Sequence, residues 1–248
     1  VTVTYTVENQ TTISVIVKDE DENEITEGID TSVDGQVTIL GLAPGDYTIT
    51  IVNEDSESIS GSSDSANFSI IKMGSSVVIT TPIDSVTYPG DVVVAYTVEN
   101  QTTISVIVKD EDENEITDGI DASVAGEVSI SGLAPGDYTI TIVNDNADNV
   151  IGSNDSASFS VAKAGSSVVI DPVEDVTYPG DVVVDYTVEN ETSVIVVVMD
   201  ADGNDVTDGV DVSVAGEVTV SGLAPGDYII VVANEESDLY TTSNASAA

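Results

Sequence analysis

Gly41-Leu42-Ala43-Pro44-Gly45-Asp46-Tyr47 recurs unchanged as Gly132 to Tyr138 and again as Gly222 to Tyr228. Before the first copy runs Gln36-Val37-Thr38-Ile39-Leu40, and after it Thr48-Ile49-Thr50-Ile51-Val52. The other two copies have matching flanks, such as Glu127-Val128-Ser129-Ile130-Ser131. Apolar and polar residues alternate in these flanks, which is the signature of half-buried strands. Between them stands turn chemistry. Pro fixes φ, the following Gly is expected to take φ > 0, and Asp to bond its own backbone. A Leu enters the turn and a Tyr leaves it. The Tyr hydroxyl is expected to bond backbone a few residues upstream while its ring closes the core. Tyr47, Tyr138 and Tyr228 are therefore read as structural.

The three tyrosines stand 91 (138 − 47) and 90 (228 − 138) residues apart. That period is about the length of one small β-sandwich and exceeds usual solenoid repeats. The expected fold is all-β, built of tandem immunoglobulin-like β-sandwich domains. Alternating segments in the second copy predict strands at Ser76–Thr80, Val92–Val98, Ile104–Val108, Glu115–Thr117, Glu127–Ser131, Tyr138–Val143 and Ser158–Ala162. Asp84–Tyr88 is expected to continue the first of these beyond Pro82. Asn53 to Ser65 and Asn144 to Asn154 read as long polar loops. The division expected is 1–72, lacking its first strand; 73–163, complete; and 164–248, lacking its last strand. Lys72-Met73-Gly74-Ser75 and Lys163-Ala164-Gly165-Ser166 read as short linkers that permit bending. A window of a longer array is one reading of the end copies. Strands supplied by neighbouring chains are the other.

Composition removes much of enzyme chemistry. The chain has 46 acidic and 4 basic residues, a net charge of −42, and no His. It has no Arg and no Cys either; the bases are Lys18, Lys72, Lys109 and Lys163. No imidazole base, thiol nucleophile, zinc thiolate site or disulfide is available. So negative a chain repels nucleic acid and anionic membranes. With 41% apolar residues in alternation it is not a disordered acidic tail. The simple function of the charge is to keep the surface soluble and its strand edges unpaired. No transmembrane run, signal peptide or cleavage pattern is visible, so the segment reads as internal to a longer protein or already processed.

Three motifs taken together carry a resemblance. They are Tyr-Pro-Gly-Asp before a Val-rich strand (Tyr88–Asp91, Tyr178–Asp181), Gly-Leu-Ala-Pro-Gly-Asp-Tyr-Thr-Ile-Thr (from Gly41 and Gly132), and Phe159-Ser160-Val161-Ala162-Lys163-Ala164 before the next copy. The chain resembles, over its whole length, the bacterial-type Ig-like repeats of adhesin-like surface proteins of methanogenic archaea. That resemblance implies a secreted or wall-attached stalk at the cell surface, with like subunits or neighbouring repeats as partners in a fibre. It implies no catalytic site. The chain is more acidic than that pattern and lacks Arg.

Asn-X-Ser/Thr occurs at Asn9, Asn67, Asn100, Asn154, Asn190 and Asn244. Asn9, Asn100 and Asn190 share one loop position; Asn154 and Asn244 share another. Such motifs mark surface loops that carry N-glycans in secreted proteins, although a chain rich in Asn, Ser and Thr also produces them by chance. N-glycosylation is common on the surface proteins the chain resembles.

Calcium is the cofactor to weigh. Loops expected at one pole hold Asp91, Asp110, Asp112, Asn114 and Asp137 in the second copy. The third offers Asp181, Asp200, Asp202, Asn204 and Asp227, and the first Asp19, Asp21, Asn23 and Asp46. Oxygen ligands at alternate positions suit Ca²⁺. The same spacing also makes an ordinary hairpin turn.

An internal Lys–Asn or Lys–Asp amide crosslink needs a buried lysine. A carboxylate-pair glycosidase needs one distinctive cleft, which three near-identical copies do not favour. The alternative to a stalk is a binding module using the long loops on a glycan or protein. Those loops hold one aromatic, Tyr240, for stacking on a sugar.

Overall fold

The computed structural model describes residues 1–80 and 82–248. Its elements are strands throughout, with no helix among the described residues. The chain is a tandem of immunoglobulin-like β-sandwiches. Its coordinates group into two compact units: Val1–Val78 with Thr97–Ser105 and Ile142–Asp155, and Ile79–Tyr96 with Val106–Thr141 and Ser156–Ala248. The division runs across the strands of the second copy.

In the first copy, Glu24–Ile25, Ile13–Asp19, Gly45–Asn53 and Ser62–Ile70 form one sheet in that order. Thr2–Thr4, Gln36–Ile39 and Ile29–Asp30 form the other. Registers such as Val17↔Ile49 and Val3↔Val37 place alternate apolar side chains on the facing surfaces. Val17, Val37, Ile39, Tyr47 and Ile49 are the buried centre.

The second copy repeats this pattern with more strands. Ile120–Asp121, Glu127–Ile130, Val92–Glu99 and Ser76–Ile79 make one sheet. Val86–Thr87, Ser153–Ala162, Gly136–Asn144, Ile104–Asp110 and Glu115–Ile116 make the other. Val92, Val94 and Tyr96 face inward and Val93 outward, as their alternation requires. The expected continuation of the first strand changes sheets: Val86 and Thr87 pair in parallel with Val161 and Ala162.

In the third copy, Val194–Asp200, Tyr228–Asn234 and Ser243–Ala247 pair in order. Ser167–Ile170, Val182–Glu189, Glu217–Val220 and Val210–Asp211 form the facing sheet. The last strand expected to be lacking is thus present for five residues. In the other two copies Phe68 stacks on Tyr47 and Phe159 on Tyr138, each at 5.5 Å.

The closing strands start inside the expected long loops, taking the end of Asn53–Ser65 from Ser62 and the end of Asn144–Asn154 from Ser153. Ser62–Ile70 and Ser153–Ala162 begin well before their first large apolar residue. Ser62 to Asn67 are all exposed, so no apolar face betrays the strand. It lies at the edge of its sheet, where Asp64 discourages pairing with foreign strands.

The repeated turn holds with one exchange of roles. Tyr47, Tyr138 and Tyr228 hydroxyls donate to the carbonyls of Ala43, Ala134 and Ala224 at 2.9, 2.8 and 2.8 Å. Burial first, then the charges of Asp110 and Glu111, push the Tyr138 hydroxyl's pKa up, so it stays a donor. The left-handed glycine is the first of the motif (Gly41, Gly132 and Gly222, φ +77°, +75° and +79°), not the one after proline in the second and third copies. Asp46 accepts from the Ser69 hydroxyl on the neighbouring strand rather than from its own turn.

Candidate functional site

The most elaborate polar arrangement lies where each copy receives the chain. Asn53, Asn144 and Asn234 are its buried polar side chains, at 3%, 1% and 0% exposure. Each stands at the end of an apolar strand, so its amide must find partners inside the protein. Asn144 Oδ1 accepts the Thr102 N–H at 2.7 Å. The Thr102 hydroxyl shares its proton between Asn144 Oδ1 (3.0 Å) and the Asp145 carbonyl (2.5 Å). Asn144 Nδ2 donates to the Asn100 carbonyl at 3.2 Å. Thr11 with Asn53, and Thr192 with Asn234, repeat the set.

This accounts structurally for three of the Asn-X-Thr motifs. Asn9, Asn100 and Asn190 sit at φ 56°, 53° and 55°, a left-handed conformation Asn tolerates better than most residues. The Thr two positions on anchors the loop. Two of the asparagines do more: Asn100 Nδ2 donates to the Gly74 carbonyl and Asn190 Nδ2 to Gly165, each at 2.7 Å. Those glycines lie in the linkers. Asn67, Asn154 and Asn244 differ. They lie exposed on strands, and Asn67 accepts from the Thr48 hydroxyl at 2.8 Å.

The linkers are therefore pinned. Met73–Gly74 pairs in parallel with Val150–Ile151. The Met73 N–H donates to Asn149 and the Ser75 N–H to Ile151, at 2.9 and 3.1 Å. Lys72 Nζ reaches the Ala147 carbonyl at 3.0 Å and Ser75 meets Ser153 at 2.8 Å. The second linker is held alike. The Ala164 N–H donates to Leu239 and its carbonyl accepts from Thr241. Ser166 donates to the Thr241 carbonyl at 2.7 Å, and Lys163 pairs with Glu236 at 2.5 Å. Tyr240, the single aromatic of the long loops, packs edge-on against Tyr88 at 6.1 Å. The sequence predicts linkers that permit bending and long polar loops, and the structure joins the two. The missed signal was the Val150-Ile151 pair inside a polar run.

Changing Asn100 to Asp removes the donor to Gly74 and sets a carboxylate against a carbonyl. The expected result is faster amide exchange at Met73 and Ser75, with roughly 1 kcal/mol or less of global destabilisation. Hydrogen exchange by NMR reads it; unchanged protection at both amides contradicts the clamp.

The acidic hairpins close on themselves. Asp110 Oδ1 accepts the N–H of Asp112 and Asn114 at 3.0 and 2.9 Å, and its Oδ2 accepts Asn114 Nδ2 at 3.0 Å. Asp19 with Asn23, and Asp200 with Asn204, do the same. Asn114 and Asn204 thus offer these aspartates donors. Asp91, Asp112, Asp137, Asp181, Asp202 and Asp227 are exposed. Among the described residues no three carboxylates come together as a group that could hold a metal ion.

Hydrogen bonds from Asn23, Asn114 and Asn204 hold the Asp19, Asp110 and Asp200 carboxyls below the ordinary value of 3.8. A lowered folded-state pKa adds stability above the unfolded value, and that stability is lost as pH falls through the lowered one. Against this, titration from −42 at pH 7 towards the pI of about 4.1 relieves self-repulsion. The melting temperature is therefore expected to rise as pH falls from 7 towards 4.5 and to drop below 3.8. A scan by circular dichroism checks it; a steady fall from pH 7 contradicts it.

No lysine is buried, which removes the condition for an internal amide crosslink. Lys18 and Lys109 pair with Glu22 and Glu113 at 3.0 and 2.9 Å across their own turns.

No family model matches the sequence, and no curated protein does. Among solved structures, the chain is similar to the I-band fragment I67–I69 of titin at 16% identity, covering 94% of this chain and 86% of that one, TM-score 0.30. It is similar to the first four Ig domains of Dscam1 isoform 6.9 at 15% identity, covering 95% and 64%, TM-score 0.34. The three N-terminal domains of the bacteriophage RB49 outer capsid protein Hoc match at 12% identity, covering 99% and 91%, TM-score 0.30. No helix among the described residues is long and apolar enough to cross a membrane.

Proposed function

We propose that the chain is a structural, non-enzymatic segment of an extracellular stalk or filament of adhesin-like type, with like subunits or neighbouring repeats as its fibre partners. The observation that carries this reading is the pinned linker. A connection held against the following copy by a parallel strand pair, an asparagine clamp and a lysine has fewer residues left free to bend, and stiffness is what a spacer needs. The Asn144–Asn154 loop that a ligand-binding module would use is engaged by the first linker, and Tyr240 by Tyr88. The net charge of −42 suits a surface that stays soluble and avoids nucleic acid.

We propose Asn67, Asn154 and Asn244 as the sequons that carry N-glycans, because a sugar on Asn100 or Asn190 Nδ2 crowds the linker clamp. Peptide mass mapping of native material tests that assignment. Electron micrographs of the same material test the stalk: straight fibres or rods are expected. Discrete particles that bind a glycan or protein saturably, with no fibre, overturn it.

A further inference from the structure

We infer that the third copy carries a docking surface on the solvent side of its Val194–Asp200, Tyr228–Asn234 and Ser243–Ala247 sheet, and that the occupant is a basic amphipathic helix of a partner polypeptide. The inference does not rest on the stalk reading. Ile195, Val197 and Met199 on one strand stand opposite Ala233, Val231 and Ile229 on the next. These six alternate with the buried Val196, Val198, Ile230 and Val232. They point away from the core, and none belongs to the buried centre or to the apolar side chains packed on it. Ile195 and Ile229 are 44% and 42% exposed.

The other copies show what this face carries elsewhere. In the first, the same three rows are Ser14↔Val52, Ile16↔Thr50 and Lys18↔Thr48. In the second, Ser105, Ile107, Lys109, Thr139, Thr141 and Val143 hold the equivalent positions. The sandwich therefore folds with hydroxyls and a lysine here, and its own packing does not require an aliphatic face. Thr139, on a strand with a neighbour on each side, is exposed as Ile229 is, so the exposure belongs to the face. The third copy has Met199 in place of the lysine, and Ile229 and Val231 in place of two threonines. Contiguous apolar surface on the wet side of a sheet marks a partner site.

Charge selects the partner. Three exposed carboxylates border the patch: Asp205 bridges to Met199 at its edge, and Asp227 and Glu235 stand at the two ends of Tyr228–Asn234. All four lysines of the chain lie outside 164–248, so no base within the copy offsets them. A second copy of the chain, at −42, is repelled, and a cationic partner is attracted. Size selects the form. Three strands span about 10 Å, close to one helix diameter, and four residues along a strand span about 13 Å, roughly nine helical residues. A helix with an aliphatic stripe between rows of lysines lays the stripe on the valines and sets its ammonium groups beside the carboxylates.

The test uses the 248-residue chain and a probe peptide, acetyl-Leu-Lys-Lys-Leu-Leu-Lys-Leu-Leu-Lys-Lys-Leu-Leu-Lys-Leu-amide. Saturable one-to-one binding is expected, with NMR shifts centred on Ile195, Val197, Met199, Ile229 and Val231. The double variant Ile229→Thr with Val231→Thr keeps the charge and is expected to bind at least about tenfold weaker, the loss of one buried apolar side chain or more. A peptide of the same composition, reordered so that no apolar stripe forms, is expected to weaken as much. Adding Met199→Lys to the double variant should remove saturable binding. Equal binding by the double variant, equal binding of the reordered peptide, or shifts spread over acidic surface elsewhere reduce the contact to charge attraction and overturn the inference. So does concentration-dependent dimerisation of the chain, read by sedimentation and lost in the double variant, because it gives the face to a second copy. The shift map of the unaltered chain decides the matter even where a variant fails to fold.

Discussion

Asn144→Ala is expected to cost about 3 kcal/mol, within a range of roughly 2–4 kcal/mol for leaving buried polar groups without partners. Asn144 is 1% exposed and holds the Asn100–Thr102 loop at several points. Its Oδ1 holds the Thr102 N–H and hydroxyl; its Nδ2 holds the Asn100 carbonyl. Alanine leaves the half-buried Thr102 N–H and the Asn100 carbonyl without these partners and opens a small void. It also unseats Asn100, so the Gly74 contact loosens and the linker amides exchange faster. Asn144→Asp separates the two halves of the side chain. It keeps the acceptor for Thr102 but turns a carboxylate towards the Asn100 carbonyl. That variant is expected to be unstable at pH 7 and to recover as the carboxyl protonates. Urea unfolding with the midpoint as readout decides it. A change below about 0.5 kcal/mol for Asn144→Ala sinks the claim that this residue organises the loop.

The fold was legible because its signal is periodic. Val92, Val94 and Tyr96 alternate with outward residues, and the Gly-Leu-Ala-Pro-Gly-Asp-Tyr turn repeats at sandwich spacing. What was not legible is two-sided or long-range. Ser62 to Asn67 form a strand without an apolar face, because an edge strand with both faces wet needs none. Val86–Thr87 changes sheets, and nothing local states which partner a short Val-Thr pair will take. The asparagine clamp hid behind its own motif. Asn-X-Thr reads as a glycan acceptor, and only the 42-residue separation between Thr102 and Asn144 closed in space reveals a buried network. The acidic hairpin is the reverse case. Asp-X-Asp-X-Asn suits a cation loop and a hairpin turn equally in sequence, and the geometry fills the Asp110 carboxylate with donors from its own turn.

Gly119→Ala is expected to destabilise by roughly 3 kcal/mol, and Gly132→Ala by only about 1–2 kcal/mol, although both glycines have nearly the same backbone. Their φ values are +76° and +75°. Each substitution incurs the left-handed penalty for a residue with a Cβ. At Gly132 nothing lies within 4 Å of where that Cβ would stand, so the penalty is the whole cost. At Gly119 the Ser131 carbonyl oxygen lies 2.2 Å away, and it is backbone, which does not rotate out of the way. The Gly119 carbonyl also accepts the Ser131 N–H at 2.9 Å, so any shift that relieves the clash strains this bond. Ser131 follows Glu127–Ile130, a strand whose Val128 and Ile130 are fully buried. Displacement there disturbs the core, whereas the Gly132 turn is free to adjust. Gly28 and Gly209 face Leu40 and Ser221 in the same way, at 2.3 and 2.6 Å, so the pair can be repeated in the other copies. Thermal melts of the two single variants suffice. Equal losses would mean the close approach at Ser131 is relaxed at no cost, and that conformation alone selects glycine at this position.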